Sequence, residues 1–190
     1  MDLFWSIWVY FIDWICYNGT STGPLGKITG REFGETVKSC FFIGHRDASE
    51  EVLPALLEAV EQHIVEYGVT EFIVGNYGGF DHLAAKAVIA AKKRHPNVTL
   101  SMLIPYHPAE RPVEVPQGFD NTFYPPGQEK VPRRFAIVRA NRYMADHVDY
   151  LIAYVWHPAS NAHELLEYVQ RKGIHTTNLG ACKLRLLSRG

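Results

Sequence analysis

Between residues 38 and 179 short apolar runs alternate with longer stretches that carry a helical stripe. Cys40-Phe41-Phe42-Ile43 is an apolar run ending at Gly44, which predicts a buried strand. Val52, Leu56, Leu57, Val60 and Ile64 then recur at the spacing of one helix face. Ser49 precedes that stripe as a capping residue, Glu50 and Glu51 suit its first turn, and Gly68 stops it. Residues 71–74 predict a second strand, 80–94 an alanine-rich helix closed by Pro96, and 98–104 a third strand. Residues 105–132 break the rhythm. They are rich in proline and carry few regular signals, and a loop of that length in a compact domain usually serves function or moves. The rhythm resumes with a helix over 133–147, a strand over 150–155, a helix over 162–172 and a short strand over 174–179.

Strands that alternate with helices form βαβ units, so the expected fold class is α/β with a mainly parallel sheet. Right-handed crossovers place helices on both faces of that sheet. Ligands of such folds sit beyond the carboxyl ends of the strands, near the point where strand order reverses.

Composition narrows the function classes. The chain has 190 residues, enough for one domain with a real core, and its 47% apolar and 21% charged residues are ordinary for a globular protein. A net charge of -1 gives no support for general nucleic-acid binding through phosphates. Cys16, Cys40 and Cys182 are far apart and odd in number, and no CxxC or Cys/His metal spacing occurs. Reduced thiols in a cytoplasmic protein follow, with no metal and no cofactor implied. Residues 3–17 hold three of the four tryptophans. That run is shorter than the roughly 20 apolar residues of a membrane span and contains Asp13. It lacks the basic start and the small-residue cleavage site of a secretory signal. An interfacial anchor or partner-binding helix is one reading. A helix packed on the domain, or a start codon placed too far upstream, is favoured over it. Residues 19–26 are linker-like. The expected division is an aromatic-rich segment over 1–37, a domain over 38–180 and a tail over 181–190.

Candidate chemistry gathers at the strand ends. Gly75-Asn76-Tyr77-Gly78-Gly79-Phe80-Asp81 runs from the second strand into the second helix. Glycines there permit positive φ and close backbone approach, and the first amides of the helix are open to an anion such as a phosphate. A tight turn capped by Asp81 would leave the same pattern. Gly44-His45-Arg46 ends the first strand and sends a guanidinium fork and an imidazole into the same crevice. Arg139 and Arg142 share a helix face and would suit a polyanion, although Asp146, four residues after Arg142, offers an internal ion pair instead. Ser160 or Asn161 caps the following helix, and Glu164 completes a capping box there or serves as a carboxylate near a ribose.

Taken together, Cys40 to Arg46, Gly75 to Ala85, Pro105-Tyr106, Arg139 to Asp146 with Asn141 among them, and Asp149 to Tyr154 resemble the YpsA-like branch of the SLOG superfamily. That superfamily also includes the DNA-processing protein DprA and the LOG phosphoribohydrolases. The resemblance spans roughly residues 38–179 and implies a Rossmann-like three-layer α/β/α fold that binds nucleotides or nucleotide-derived ligands. The implied ligand contacts are Gly44, His45, Arg46, Gly75, Gly78, Gly79, Phe80, Asp81, Arg139, Asn141, Arg142, Ser160 and Asn161. Where LOG enzymes carry PGGxGTxxE, this chain has Pro158-Ala159-Ser160-Asn161-Ala162-His163-Glu164, with Glu164 matching the motif's glutamate. Three functions follow. The first is a nucleotide-binding or sensing domain. The second is a phosphoribohydrolase with Glu164 catalytic. The third, a single-strand DNA binder, is disfavoured by the net charge and the missing aromatic–basic interleaving. The expected partner is a nucleotide-like small molecule, with a homodimer open and membrane contact by residues 3–17 disfavoured.

Overall fold

The computed structural model describes residues 37–181. Its elements are β1 (Lys38–Gly44), α1 (Leu53–Val65), β2 (Val69–Val74), α2 (Gly79–Lys92), β3 (Thr99–Leu103), β4 (Asn121–Phe123), α3 (Ala136–His147), β5 (Tyr150–Tyr154), α4 (Asn161–Arg171) and β6 (His175–Asn178). The expectations for residues 3–17, for the linker over 19–26 and for the tail from residue 182 lie outside the described residues.

All six strands are parallel and stand in the order β4-β3-β2-β1-β5-β6. β1 is central because its run from Cys40 to Ile43 is apolar on both faces, and such a strand is stable only when both faces are covered. Side chains alternate across it. Cys40 and Phe42 pack with α1 and α2, while Phe41 and Ile43 pack with α3 and α4. Phe42 meets Phe72 at 5.9 Å and Phe80 at 6.4 Å between ring centroids. Each such buried ring contributes about 1.5–3 kcal/mol through the apolar area it removes from water. The result is three layers, two helices to each side of one sheet. The chain winds outward from β1 through β2, β3 and β4, then crosses to β5 and β6. Strand order therefore reverses between β1 and β5.

Two local expectations are corrected. Ser49 makes no side-chain cap bond. Residues Glu50–Val52 form a 3-10 turn, and the α-helix starts at Leu53 with Pro54 in its first turn, where a missing amide N–H costs nothing. Leu57, placed on the apolar stripe, is instead 36% exposed. The proline-rich loop also holds a strand with no sequence signal. β4 pairs with β3 from Ser101↔Asn121 to Leu103↔Phe123. Three residues are too few to show a period. This strand is held by Asp120, whose carboxylate accepts the Leu100 amide at 2.7 Å and the Lys92 ammonium at 2.6 Å. Among the described residues no helix is long and apolar enough to cross a membrane.

Candidate functional site

The glycine-rich turn joins β2 to α2, and two of its amides are bonded within the protein. The Gly79 amide donates to the Arg46 carbonyl at 2.8 Å, and the Tyr77 amide donates to the Asp81 carboxylate at 3.0 Å. Burial pushes the Asp81 carboxyl above its usual range, and the amides of Tyr77 and Gly78 partly offset that rise. None of Gly75, Gly78 and Gly79 has positive φ, and Gly78 is extended at φ -148°. Their bareness answers a different demand. A Cβ on Gly79 would lie 2.7 Å from the Arg46 carbonyl oxygen and 2.9 Å from that of Ala48, and one on Gly75 would lie 2.6 Å from Asp81 Oδ2. The segment after β1 therefore rests directly on the head of α2. The expectation of positive φ at this turn is corrected accordingly, and of the amides expected to be open at the head of α2, that of Gly79 is taken by the Arg46 carbonyl. The glycines seat the backbone of Arg46, and its side chain reaches the crevice.

Facing that arrangement across the sheet ends are α3 and the start of α4. Arg139 and Asn141 project from α3, and among the described residues Arg139 forms no ion pair. Arg142 also borders the crevice, but its guanidinium lies over the Tyr168 ring on α4. The alternative of an internal pair between Arg142 and Asp146 is not formed among the described residues, where the Asp146 carboxylate accepts from Tyr168 and from Lys172. Ser160 caps α4 through its hydroxyl, which accepts the His163 amide at 3.2 Å. The position three residues after the cap is His163, and Glu164 comes one later, its amide bonded to the Ser160 carbonyl at 3.1 Å. A capping box would occupy Glu164 with the backbone of Ser160. Here its carboxylate forms no hydrogen bond among the described residues and borders the crevice instead.

These groups enclose a cleft of about 340 Å³ beyond the carboxyl ends of β1, β2 and β3. It collects Gly44, Arg46, Gly75, Gly78, Asp81, Arg139, Asn141, Arg142, Asn161 and Glu164 of the residues singled out in the sequence. It does not collect Gly79, which is bonded to the Arg46 carbonyl, nor Phe80, which is fully buried in the core. Ser160 is engaged as the α4 cap. His45 turns to the β5–α4 connection, where its Nε2 accepts the amides of Trp156 at 3.0 Å and His157 at 3.1 Å. Burial lowers the proton affinity of that imidazole, in keeping with its role as an acceptor. The sequence reading missed the apolar wall, to which Phe41, Leu103, Ile137 and Leu165 contribute, along with Tyr77. Their only signal was membership of core stripes, which does not distinguish a cleft wall from the interior. Chemically, the cleft offers guanidinium groups for an anion, two side-chain amides and a carboxylate for hydroxyls, and an apolar surface for a flat ring. Among the described residues no cluster of three His, Cys, Asp or Glu could hold a metal ion.

No family model matches the chain, and no curated protein matches it in sequence. Among solved structures it is similar to DNA processing protein A (DprA) from Streptococcus pneumoniae, with a TM-score of 0.54 and 17% identity over 74% of this chain. The match takes in 49% of the DprA chain, so this protein spans about half the length of the structure it is similar to. The likeness is one of fold.

Proposed function

We propose that this protein is a cytoplasmic nucleotide-binding or nucleotide-sensing domain of the YpsA-like type within the SLOG superfamily, with a nucleotide-like small molecule as its ligand. The observation that carries the reading is the meeting of Arg46 and Arg139, neither held in an ion pair among the described residues, at one cleft with an apolar wall. Arginine forks bind phosphate bidentately, the wall accepts a base, and Asn141, Asn161 and Glu164 reach ribose hydroxyls. The location supports the same reading, since ligands of open α/β sheets sit outside the strand carboxyl ends where strand order reverses. The arginines supply the phosphate contacts in this reading, and the Tyr77 amide of the turn and the Gly79 amide of α2 are already bonded within the protein.

A second reading is favoured by the state of Glu164. A carboxylate free of capping duty, on the far wall from Arg46, suits hydrolysis of the N-glycosidic bond of a nucleoside monophosphate. It would stabilise an oxocarbenium-like transition state or activate water while arginine holds the phosphate. Thermal shift against a nucleotide panel tests the first reading, because a ligand that binds only the folded state raises the melting temperature. Incubation with AMP and detection of free base tests the second. Release abolished by Glu164→Ala assigns an enzyme, and a melting shift without release assigns a sensor. No shift with any nucleotide overturns both.

A further inference from the structure

A second cavity, of about 540 Å³, adjoins the first on the side of the proline-rich loop. Both are bordered by Arg46 and Tyr77, so these two residues stand at the boundary between them. The second cavity adds Asn76, Arg111 and Glu114. Arg111 is steadied by an aromatic ring rather than by an acid. Its guanidinium lies 5.5 Å from the centroid of Tyr106, which meets Tyr77 edge-on at 6.2 Å. Among the described residues neither Arg46 nor Arg111 takes part in an ion pair. Two arginines thus border one cavity without an ion pair to an acid among the described residues, although Glu114 borders it too.

We infer that the second cavity holds a second phosphate joined to the group in the first, so that the ligand is a nucleoside diphosphate or a larger pyrophosphate-linked nucleotide. This rests on the nucleotide reading above and names its ligand class. Arg46, common to both cavities, bridges the two phosphates, and Arg111 holds the distal one. A monophosphate leaves Arg111 without a partner. Glu114 repels a phosphate set against it and so confines the distal group to the arginine side. Tyr77 adds a donor at the junction, and burial raises its phenol above the usual range, which keeps the hydroxyl protonated.

Calorimetric titration of the full chain with AMP, ADP and inorganic pyrophosphate tests this. Charge-assisted hydrogen bonds from Arg111 should make ADP bind about tenfold or more tightly than AMP. In Arg111→Gln that ratio should fall to about one. In Glu114→Gln it should rise, a gain that a misfolded variant cannot produce. Pyrophosphate binding weaker than ADP assigns the site to a nucleotide, and pyrophosphate binding as tight as ADP overturns the nucleotide class. Equal affinity of AMP and ADP for the unaltered protein, or a ratio unmoved by either substitution, overturns the distal subsite and leaves the nucleotide reading standing. Binding of neither nucleotide overturns both.

Discussion

Asp81 and His63 show how far a single side chain can be read. From the sequence, Asp81 is an acid at the first turn of a helix, and either a cap or a ligand contact fits. In the structure its carboxylate accepts the Tyr77 amide and sits against Gly75, and the same residue borders the cleft. His63 gave no signal at all within its helix. It is fully buried, with Nδ1 2.7 Å from the Ala59 carbonyl and thus donating, and Nε2 without a hydrogen-bond partner among the described residues. The rings of Tyr67, Tyr150 and His175 surround it. Burial holds its pKa below the ordinary 6.5, with His175 adding to the effect and Ala59 and Glu66 opposing it. The unfolded chain therefore takes up the proton first. Stability is unaffected by this group well above pH 6.5 and falls as pH drops below it, by at most about 1.4 kcal/mol per pH unit. The urea midpoint should decline between about pH 7 and pH 5.5, and the decline should be smaller in His63→Leu. An identical decline in the variant would assign the loss to other groups.

At the scale of elements, the proline-rich loop is where pattern reading reached least. Its composition announced a long connection between the third strand and the third helix, and that is where the connection lies. The composition concealed what holds it. Gln128 is buried and donates to the Pro105 carbonyl at 3.1 Å and the Ala136 carbonyl at 2.6 Å, which ties the end of the loop to its start and to α3. Asp120 and the Lys92 ammonium, which also donates to the Gly118 carbonyl at 3.0 Å, fix its middle. The stretch that carries Arg111 lies between these two anchors. Gln128→Ala leaves the buried Pro105 carbonyl unpaired, at a cost of about 1–3 kcal/mol, and removes the second donor of the Ala136 carbonyl. Limited trypsin digestion should then cut several-fold faster at Lys130 and Arg133, while cleavage after Glu110 and Glu114 by a glutamyl endopeptidase changes less. Uniform acceleration at all four would mean that the whole loop moves as one piece. The glycine-rich turn is the complementary case. The sequence marks where side chains cannot be tolerated, but it does not say what presses on the bare backbone, and here that is the segment from Arg46 to Ala48.

For the whole molecule, the charge balance bears on nucleic-acid binding. The chain carries a net charge of -1, and among the described residues its exposed arginines are scattered, with Arg46 and Arg139 at the cleft and Arg94 paired with Glu61 elsewhere. Counter-ion release over many phosphates has little to work with. Binding of a single-stranded oligonucleotide at physiological salt should therefore be weaker than the roughly 10⁻⁶–10⁻⁴ M of a basic non-specific binder. Tight, steeply salt-dependent binding in a filter or anisotropy assay would reverse that expectation. The order of elements apart from β4, the parallel sheet and the strand ends that bear Gly44, Arg46 and Gly75 were fixed by local pattern, because apolar runs and helical stripes reflect burial that each element must satisfy wherever it packs. Which groups face the cleft was decided only on folding. Arg46 and Glu164 enter it while His45 turns to the amides of Trp156 and His157, and Arg142 lies over Tyr168. Those choices depend on contacts between residues about twenty to a hundred or more positions apart, whose distances no one-dimensional period encodes.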